Sequence, residues 1–554
     1  MKLKTSFFNS SLLRKDLVRF APAWVLYGAF LVLVFSGNIL SYDRASVAGA
    51  LGSSIAAFGI FNLLYAMLCA QLLFGDLFQS RMCNALHALP IRREGWFITH
   101  VLAGLLFCAI PVAAAGLIFF AVLGSYWMAA LLWMAALLLQ FVFFYAVAVL
   151  SAMLVGNRFA AVVVYCILNF LSAIVFWLFN ALYQPHLYGF VMDETPFLRL
   201  CPVVWMITPS YFTAYSKTGT VLLRDGWGYL AICFAVGLAV LVGSLLLYRR
   251  RALEKAGDFI VFKPTAPVFL VLYTFSAGAF LHLFSNVFIG ESTEFVFLIV
   301  GLAIGFFTGL MLLNRTIQVF RGKAFARFGI LMAVFGLTLL LTVLDPMCIT
   351  RWVPDRKEVA WVSLDHYSAE DQLEHAITDE ALIKQVLSIH QHAVDHPEEA
   401  SNGHEDTRIH LSYKLKNGQT VQRQYYIDTG TVAAVTLEYV MSQPEIVFGS
   451  QFATVDALAN EIRYIDLYKD GMDRMLTDRE QIRSLIEAVL ADAEAGNLSQ
   501  NWALRQDNGE EGYLYMEGKE RKTPEGYTTS YCWSIAYSPQ SVNTWAWLKA
   551  YYGK

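Results

Sequence analysis

The chain has 554 residues, 57% of them hydrophobic and 15% charged, with a formal net charge of −3. Soluble domains carry about a quarter charged residues, so this composition excludes a soluble globular protein, and it offers no basic excess with which to bind nucleic acid. The average conceals two parts: residues 1–350 hold 22 Lys+Arg against 12 Asp+Glu, and residues 351–554 hold 19 against 32, so a part of net +10 is joined to one of net −13.

In chain order the first feature is "FFNSSLLRKDLVRF" (7–20). Phe7, Phe8, Leu12, Leu13 and Leu17 are set among basic residues there, which predicts a short helix lying in the cytoplasmic interface. Nine apolar runs follow that reach the roughly 20 residues needed to cross a bilayer. They lie near 21–40, 53–75, 96–124, 126–155, 159–183, 227–248, 265–288, 295–313 and 328–345. The first is of full spanning length and "FSGNILSYD" after it has no small-x-small cleavage pattern, so it is expected to stay as a span.

Between the second and third runs lies "DLFQSRMCNALHALPIRREG" (76–95), too polar to span. Leu77, Met82, Leu86 and Leu89 fit one face of a short amphipathic helix, ended by Pro90, because the residue before a proline is pushed out of the helical region. Arg92 and Arg93 then anchor the start of the third run. Between the fifth and sixth runs, residues 184–226 form a loop rich in aromatics and prolines, including Phe197, Pro202, Trp205, Pro209, Tyr211 and Phe212. It is expected to dip into the outer leaflet or pack on the helices.

Lys and Arg in the short loops set orientation. Five precede the first run, Arg81, Arg92 and Arg93 follow the second, Arg158 follows the fourth, five including Arg249–Arg251 follow the sixth and four follow the eighth. That places 18 on one side against Arg44, Arg199, Lys217 and Arg224 on the other. The N-terminus is thus expected in the cytoplasm and, after nine crossings, residues 346–554 outside.

Within the runs, His100, Gln140, Asn169, Asn180, His282 and Asn286 read mostly as interhelical hydrogen-bonding groups. No acidic residue lies deep in a run, which disfavours a proton relay. Gly301, Gly305 and Gly309, spaced by four, suit close helix packing. No Gly-x-x-x-x-Gly-Lys-Ser/Thr loop occurs, so the chain is not expected to hydrolyse nucleotide itself, and no catalytic set stands out.

The C-terminal part reads as α+β with a weak repeat of about 99 residues. "EVAWVSLD", "TDEALIKQVLSIHQHAV" and "IHLSYKLKNGQTVQRQYYI" give strand, helix and hairpin, with Asn417-Gly418 as the turn. "EIRYIDLYK", "TDREQIRSLIEAVLADA", "GYLYM" and "YTTSYCWSIAY" repeat the order. Thr378 and Thr477 are expected as helix caps. His390, His392, Asp395 and His396 could hold a metal only without the Glu of a His-Glu-x-x-His motif, and a solvated helix end accounts for them; no cofactor or metal is expected. Of eight cysteines, only Cys348 and Cys532 belong to this part, and spacing alone leaves their pairing open.

Residues 74–100, with Leu89-Pro90-x-Arg92-Arg93, resemble the loop between the second and third spans of ATP-binding cassette (ABC) exporter permeases of the type V class, where a coupling helix precedes such an element. "LLLYRRRALEKAGD" (245–258) is similar to the Tyr-x-x-Arg…Glu-x-Ala-Gly sequence of a bacterial subgroup, many from Firmicutes. The resemblance implies an interfacial helix (1–20), a six-helix permease core (21–258), a separate cytoplasmic ABC ATPase and a second permease in a homo- or heterodimer. It also implies ATPase coupling through Leu77, Arg81, Met82, Leu86, Leu89, Pro90, Arg92 and Arg93. Three further spans (259–345) and the exterior domain (346–554) exceed the usual pattern. The alternative reading is a membrane-tethered exterior sensor or binding protein.

Overall fold

The computed structural model describes residues 8–41, 44–87, 91–192, 195–207, 211–214, 221–223, 226–289, 293–364, 375–397, 406–428, 430–469, 472–498, 512–522 and 528–553. It divides into two units, Met1–Ala181 with Glu194–Gly336, and Leu182–Asp193 with Leu337–Lys554.

The first unit is helical. The basic lead-in forms α1 (Ser10–Arg19), capped by the Asn9 side chain, which accepts from the Leu12 amide. Asp16 is only 4% exposed and sits 2.9 Å from His100 Nδ1. Two potential charges are thereby removed from water together, so the helix is fastened rather than floating. The chain bends by 60° into α2 (Ala21–Ser41), then runs through α3 (Arg44–Leu73), α4 (Ser80–His87), α5 (Arg93–Leu123), α6 (Trp127–Leu154) and α7 (Arg158–Leu182). Two short helices, α8 (Thr195–Arg199) and α9 (Pro202–Ile207), and a hairpin, β1 (Phe212–Ala214) with β2 (Val221–Leu223), lead to α10 (Gly226–Arg250). α11 (Thr265–Phe288) and α12 (Glu294–Asn314) follow.

The aromatic loop packs on the helices through α9 and β1, both against α3. Tyr211 fixes it there, donating to Met206 O and accepting at its own carbonyl from Trp227 Nε1, each at 2.8 Å. α11 and α12 lie side by side. A Cβ on Gly301 or Gly305 would fall 2.9 Å from Ala277 O or 2.7 Å from Ala277 Cβ, so the glycines let the backbones approach. Polar spans cross-link the bundle: Tyr27 donates to Asn62 Oδ1 (2.7 Å), Asn62 to Gln140 Oε1 (3.3 Å), and Gln140 to Ile55 O (3.3 Å).

Among the described residues, seven helical segments are long and apolar enough to cross a membrane, or eight if α1 and α2 count as one bent span. One of the seven, Arg93–Leu154, is 62 residues long. It is divided at Gly124, where φ is +58°, into α5 and α6, which pack against each other. α13 (Gly322–Leu344) is the last of them.

The second unit is α+β, built twice on one plan. β3 (Val359–Leu364), α14 (Glu380–Asp395), β4 (Asp406–Leu415), β5 (Thr420–Asp428) and α15 (Val432–Ser442) form the first half, with antiparallel sheet order β3-β4-β5. After α16 (Pro444–Val447) and α17 (Val455–Glu461) come β6 (Ile462–Lys469), β7 (Met472–Leu476) and α18 (Arg479–Glu494). β8 (Gly512–Gly518), β9 (Arg521–Lys522), β10 (Thr528–Thr529), β11 (Cys532–Tyr537) and α19 (Val542–Tyr552) complete it, in the order β11-β8-β6-β7. β7, which the sequence pattern did not suggest, lies outside β6. The caps of α14 and α18 are Asp379 and Asp478, one residue after the expected threonines. Asp379 accepts from the amides of Ala381 and Leu382, Asp478 from that of Gln481, so a carboxylate that also favours the positive helix end takes the role. Cys348 and Cys532 are separate, exposed thiols.

His390, expected at a solvated helix end, is wholly buried. Its Nδ1 and Nε2 lie 3.1 and 2.9 Å from the hydroxyls of Tyr413 and Tyr425. Burial, and then the Arg423 guanidinium, push it down to about 3. An unfolded histidine titrates near 6.5, so the unfolded state binds more protons between these values. Stability from this site is present above pH ~6.5 and is lost as pH falls, by about 2 kcal/mol at pH 5. Acidification from pH 7 to 5 should therefore lower the unfolding midpoint of this unit, and His390→Gln should flatten that dependence. An unchanged pH profile in the variant would contradict it. His392 and His396 stack at 4.3 Å, and no group of three metal-ligating side chains occurs among the described residues.

Candidate functional site

The segment between α3 and α5 begins with Phe74 and a 3-10 turn, Gly75–Phe78. A Cβ on Gly75 would lie 2.9 Å from the Arg158 guanidinium, so a side chain there would have to push that flexible arginine aside. Leu77 is fully buried. It anchors the turn inward instead of joining Met82 on an outer face. α4 follows, with Arg81 and Met82 exposed and Cys83 buried. Leu86 lies on α4, but its side chain, and Leu89 and Pro90 entirely, fall outside the described residues. Arg92 is exposed and Arg93 half-buried; with Glu94 and Arg249 they line a recess of about 600 Å³, where Glu94 pairs with Arg249 at 3.2 Å.

What holds this segment is Arg251, 2% exposed just beyond α10. Its Nη1 donates to Ala152 O (2.6 Å) and Met153 O (3.1 Å), and its Nη2 to Leu77 O (3.2 Å). The last carbonyls of a helix have no partner within it, so the guanidinium caps α6 and, with the same fork, grips the 3-10 turn. The negative helix end helps keep the cation charged. Burial lowers its pKa to about 10, which leaves it protonated near neutrality.

Around this bolt the loop 251–261 is laced to the end of α6. Gly156 N donates to Asp258 O (2.8 Å), Gly257 N to Gly156 O (2.7 Å) and Val261 N to Leu154 O (3.0 Å). A Cβ on Gly156 would stand 2.2 Å from Lys255 O. Ser80 Oγ, at the start of α4, donates to Ala256 O at 3.2 Å. Asp258 binds Lys255 (3.1 Å) and Arg315 (2.8 Å); partial burial raises its pKa, but the bonds from these two cations outweigh that and hold the carboxyl below its usual range. Tyr248 stacks on Trp96 and Phe97 at 5.6 and 5.7 Å.

The exposed helix α4 is thus seated on the 3-10 turn 75–78 and on the loop after α10, which Arg251 and the bonds around Gly156 tie to the end of α6. Arg251 and Asp258 were not among the expected site residues, although a signal was present. Gly226, Leu230, Cys233, Gly237, Leu241, Ser244 and Tyr248 are the buried positions of α10, spaced by three or four, and Arg251 is the next step of that stripe.

No family model, no curated protein and no solved structure matches this chain.

Proposed function

We propose that the chain is the membrane subunit of an ATP-driven exporter in a bacterial cell membrane, paired with a second permease and driven by a separate cytoplasmic ABC ATPase. In this reading it crosses the membrane nine times, with α5 and α6 as separate spans and α1 and α2 contributing one. The N-terminus is cytoplasmic, the C-terminal unit is exterior, and the cargo is hydrophobic or amphipathic. The observation that carries the proposal is the seating of α4: a short helix with Arg81 and Met82 exposed, whose preceding 3-10 turn is tied by Arg251 to the end of α6 and whose Ser80 is bonded to Ala256 in the loop after α10. Such a mounting suits a part that receives a motor's stroke. The sequence resemblance of residues 74–100 and 245–258 supports the same assignment.

Met82→Asp puts a charge on the exposed side of α4 without touching its base, and Leu86→Asp tests the neighbouring turn. Each should abolish co-purification of the ATPase while the permease stays in the membrane at its normal level; an unchanged pull-down would refute the coupling role. Topology has its own check. A cysteine at exposed Asn417 should react with a membrane-impermeant maleimide in intact cells, and labelling only after lysis would reverse the orientation.

A further inference from the structure

α7 and α11 turn apolar stripes towards each other without closing the space between them. Val164, Ile167 and Leu168 on α7 face Val268, Phe269 and Leu272 on α11 across a crevice of about 150 Å³. Residues three and four apart lie on one side of a helix, so the crevice runs between two continuous stripes. Its lining is apolar except for Thr265 at the start of α11, whose hydroxyl is already engaged with Phe262 O at 2.7 Å. The Phe269 ring packs on Phe259 at 5.2 Å and on Tyr273 at 5.4 Å. Those two contacts keep the ring from swinging into the gap.

Both helices are long and apolar enough to cross a membrane, and Val268 is 58% exposed, so the crevice opens where lipid tails lie. A drug-sized molecule needs a site of about 300–1,000 Å³, whereas this one admits a single flexible chain. Charge marks which lipid supplies it. Ile260 and Thr265 both line the crevice, and in the turn between them Lys263 is exposed and makes no ion pair among the described residues. Other cations of this region are engaged, Lys255 and Arg315 with Asp258 and Arg251 with carbonyls. An ammonium at the end of an apolar crevice matches a phosphate joined to an acyl chain.

We infer that the crevice holds one acyl chain of an anionic phospholipid, with the phosphate on Lys263, and that this lipid joins α11 to α7. Lipid tails are as apolar as the crevice, so filling it gives no preference among lipids. The preference comes from the headgroup, for which one lysine near the surface gives roughly a fivefold enrichment. The inference requires these helices to lie in a membrane, in either orientation, and does not depend on the exporter reading.

The test uses the full chain in phosphatidylcholine nanodiscs doped with a lipid that carries a photoactivatable diazirine at mid-chain, on either phosphatidylglycerol or phosphatidylcholine. Phosphatidylglycerol should label residues 164–168 and 268–272 about fivefold more than phosphatidylcholine does. Lys263→Glu should remove that preference and Lys263→Arg should keep it. Lys323→Glu, which changes an exposed cation that lines no part of the crevice, should leave it unaltered. Val268→Trp, which fills the mouth from an exposed position, should abolish labelling there by both lipids. Equal labelling by the two lipids, labels that map elsewhere, a ratio unmoved by Lys263→Glu, or an equal loss with Lys323→Glu would overturn the proposal. So would a disulfide between two copies carrying Val268→Cys, mapped to position 268 and formed without probe, which would give the mouth to a second copy of this chain.

Discussion

Arg251→Met should loosen the first unit more than any other single change of a charged residue. Methionine fills much of the same volume but leaves Ala152 O, Met153 O and Leu77 O without their donor. A buried acceptor left unpaired costs about 1–3 kcal/mol, so a loss of roughly 3–5 kcal/mol is expected once partial relaxation is allowed. Thermal unfolding in nanodiscs should shift down by several degrees, and proteolysis should open residues 76–95. Arg251→Lys should fall between, because one ammonium keeps the charge but cannot span carbonyls on two separate segments. If unfolding and cleavage were the same in Arg251→Met as in the parent, the residue would not be the bolt described above. ATPase co-purification should fall together with stability in this variant, whereas in Met82→Asp it should fall alone.

Gly189→Val is expected to unseat residues 187–190 from β5, where Gln424 N donates to Gly189 O at 3.0 Å and Phe190 forms an antiparallel bridge with Arg423. At Gly189 φ is +73°, a region that costs an L-residue about 1–2 kcal/mol, more for a β-branched one. A Cβ would also stand 2.0 Å from the Tyr425 ring, so overpacking adds roughly 1–3 kcal/mol. Amide exchange at Gln424 should accelerate by at least tenfold, and residues 185–192 should become open to protease. Protection at Gln424 equal to that of the parent chain would remove the pairing from the account. The phenyl ring of Phe190, released from Arg423, should also raise the binding of hydrophobic dyes to the variant.

The apolar stretches were legible because crossing a bilayer demands length and hydrophobicity, and little else in a sequence imitates that. Asn417-Gly418 located its hairpin for an equally local reason: Gly418 has φ of +89°, which the turn requires. The duplication was legible through the recurring Thr-Asp that precedes both α14 and α18, although the neighbouring aspartate proved to be the cap. β7 was not legible, since Met472–Leu476 contains Asp473 and Arg474 and gains its place only by pairing with β6. His390 was misjudged because polar side chains default to solvent, and only tertiary partners, here two tyrosine hydroxyls, reverse that default. The candidate site divides the same way. Arg81 and Met82 face outward as a short amphipathic helix suggests, whereas the turn at Leu77 is fixed by Arg251, 174 positions away in sequence, which no local pattern encodes.

The pairing of Phe190 with Arg423 sets a timetable for biogenesis. About 230 residues separate the two, so at the usual elongation rate of 5–20 residues per second the Tyr-Gly-Phe segment emerges some 10–50 s before the strand that receives it. Throughout that interval Tyr188 and Phe190 have no β5 to lie on, and the chain carries an exposed, pairing-competent stretch of backbone. Closing so long a loop is slow compared with forming the β4–β5 hairpin itself. The nascent chain is therefore open to capture by a chaperone or by another nascent copy until synthesis has passed residue 428, and a ribosome stalled before that point would display the segment in its unpaired state.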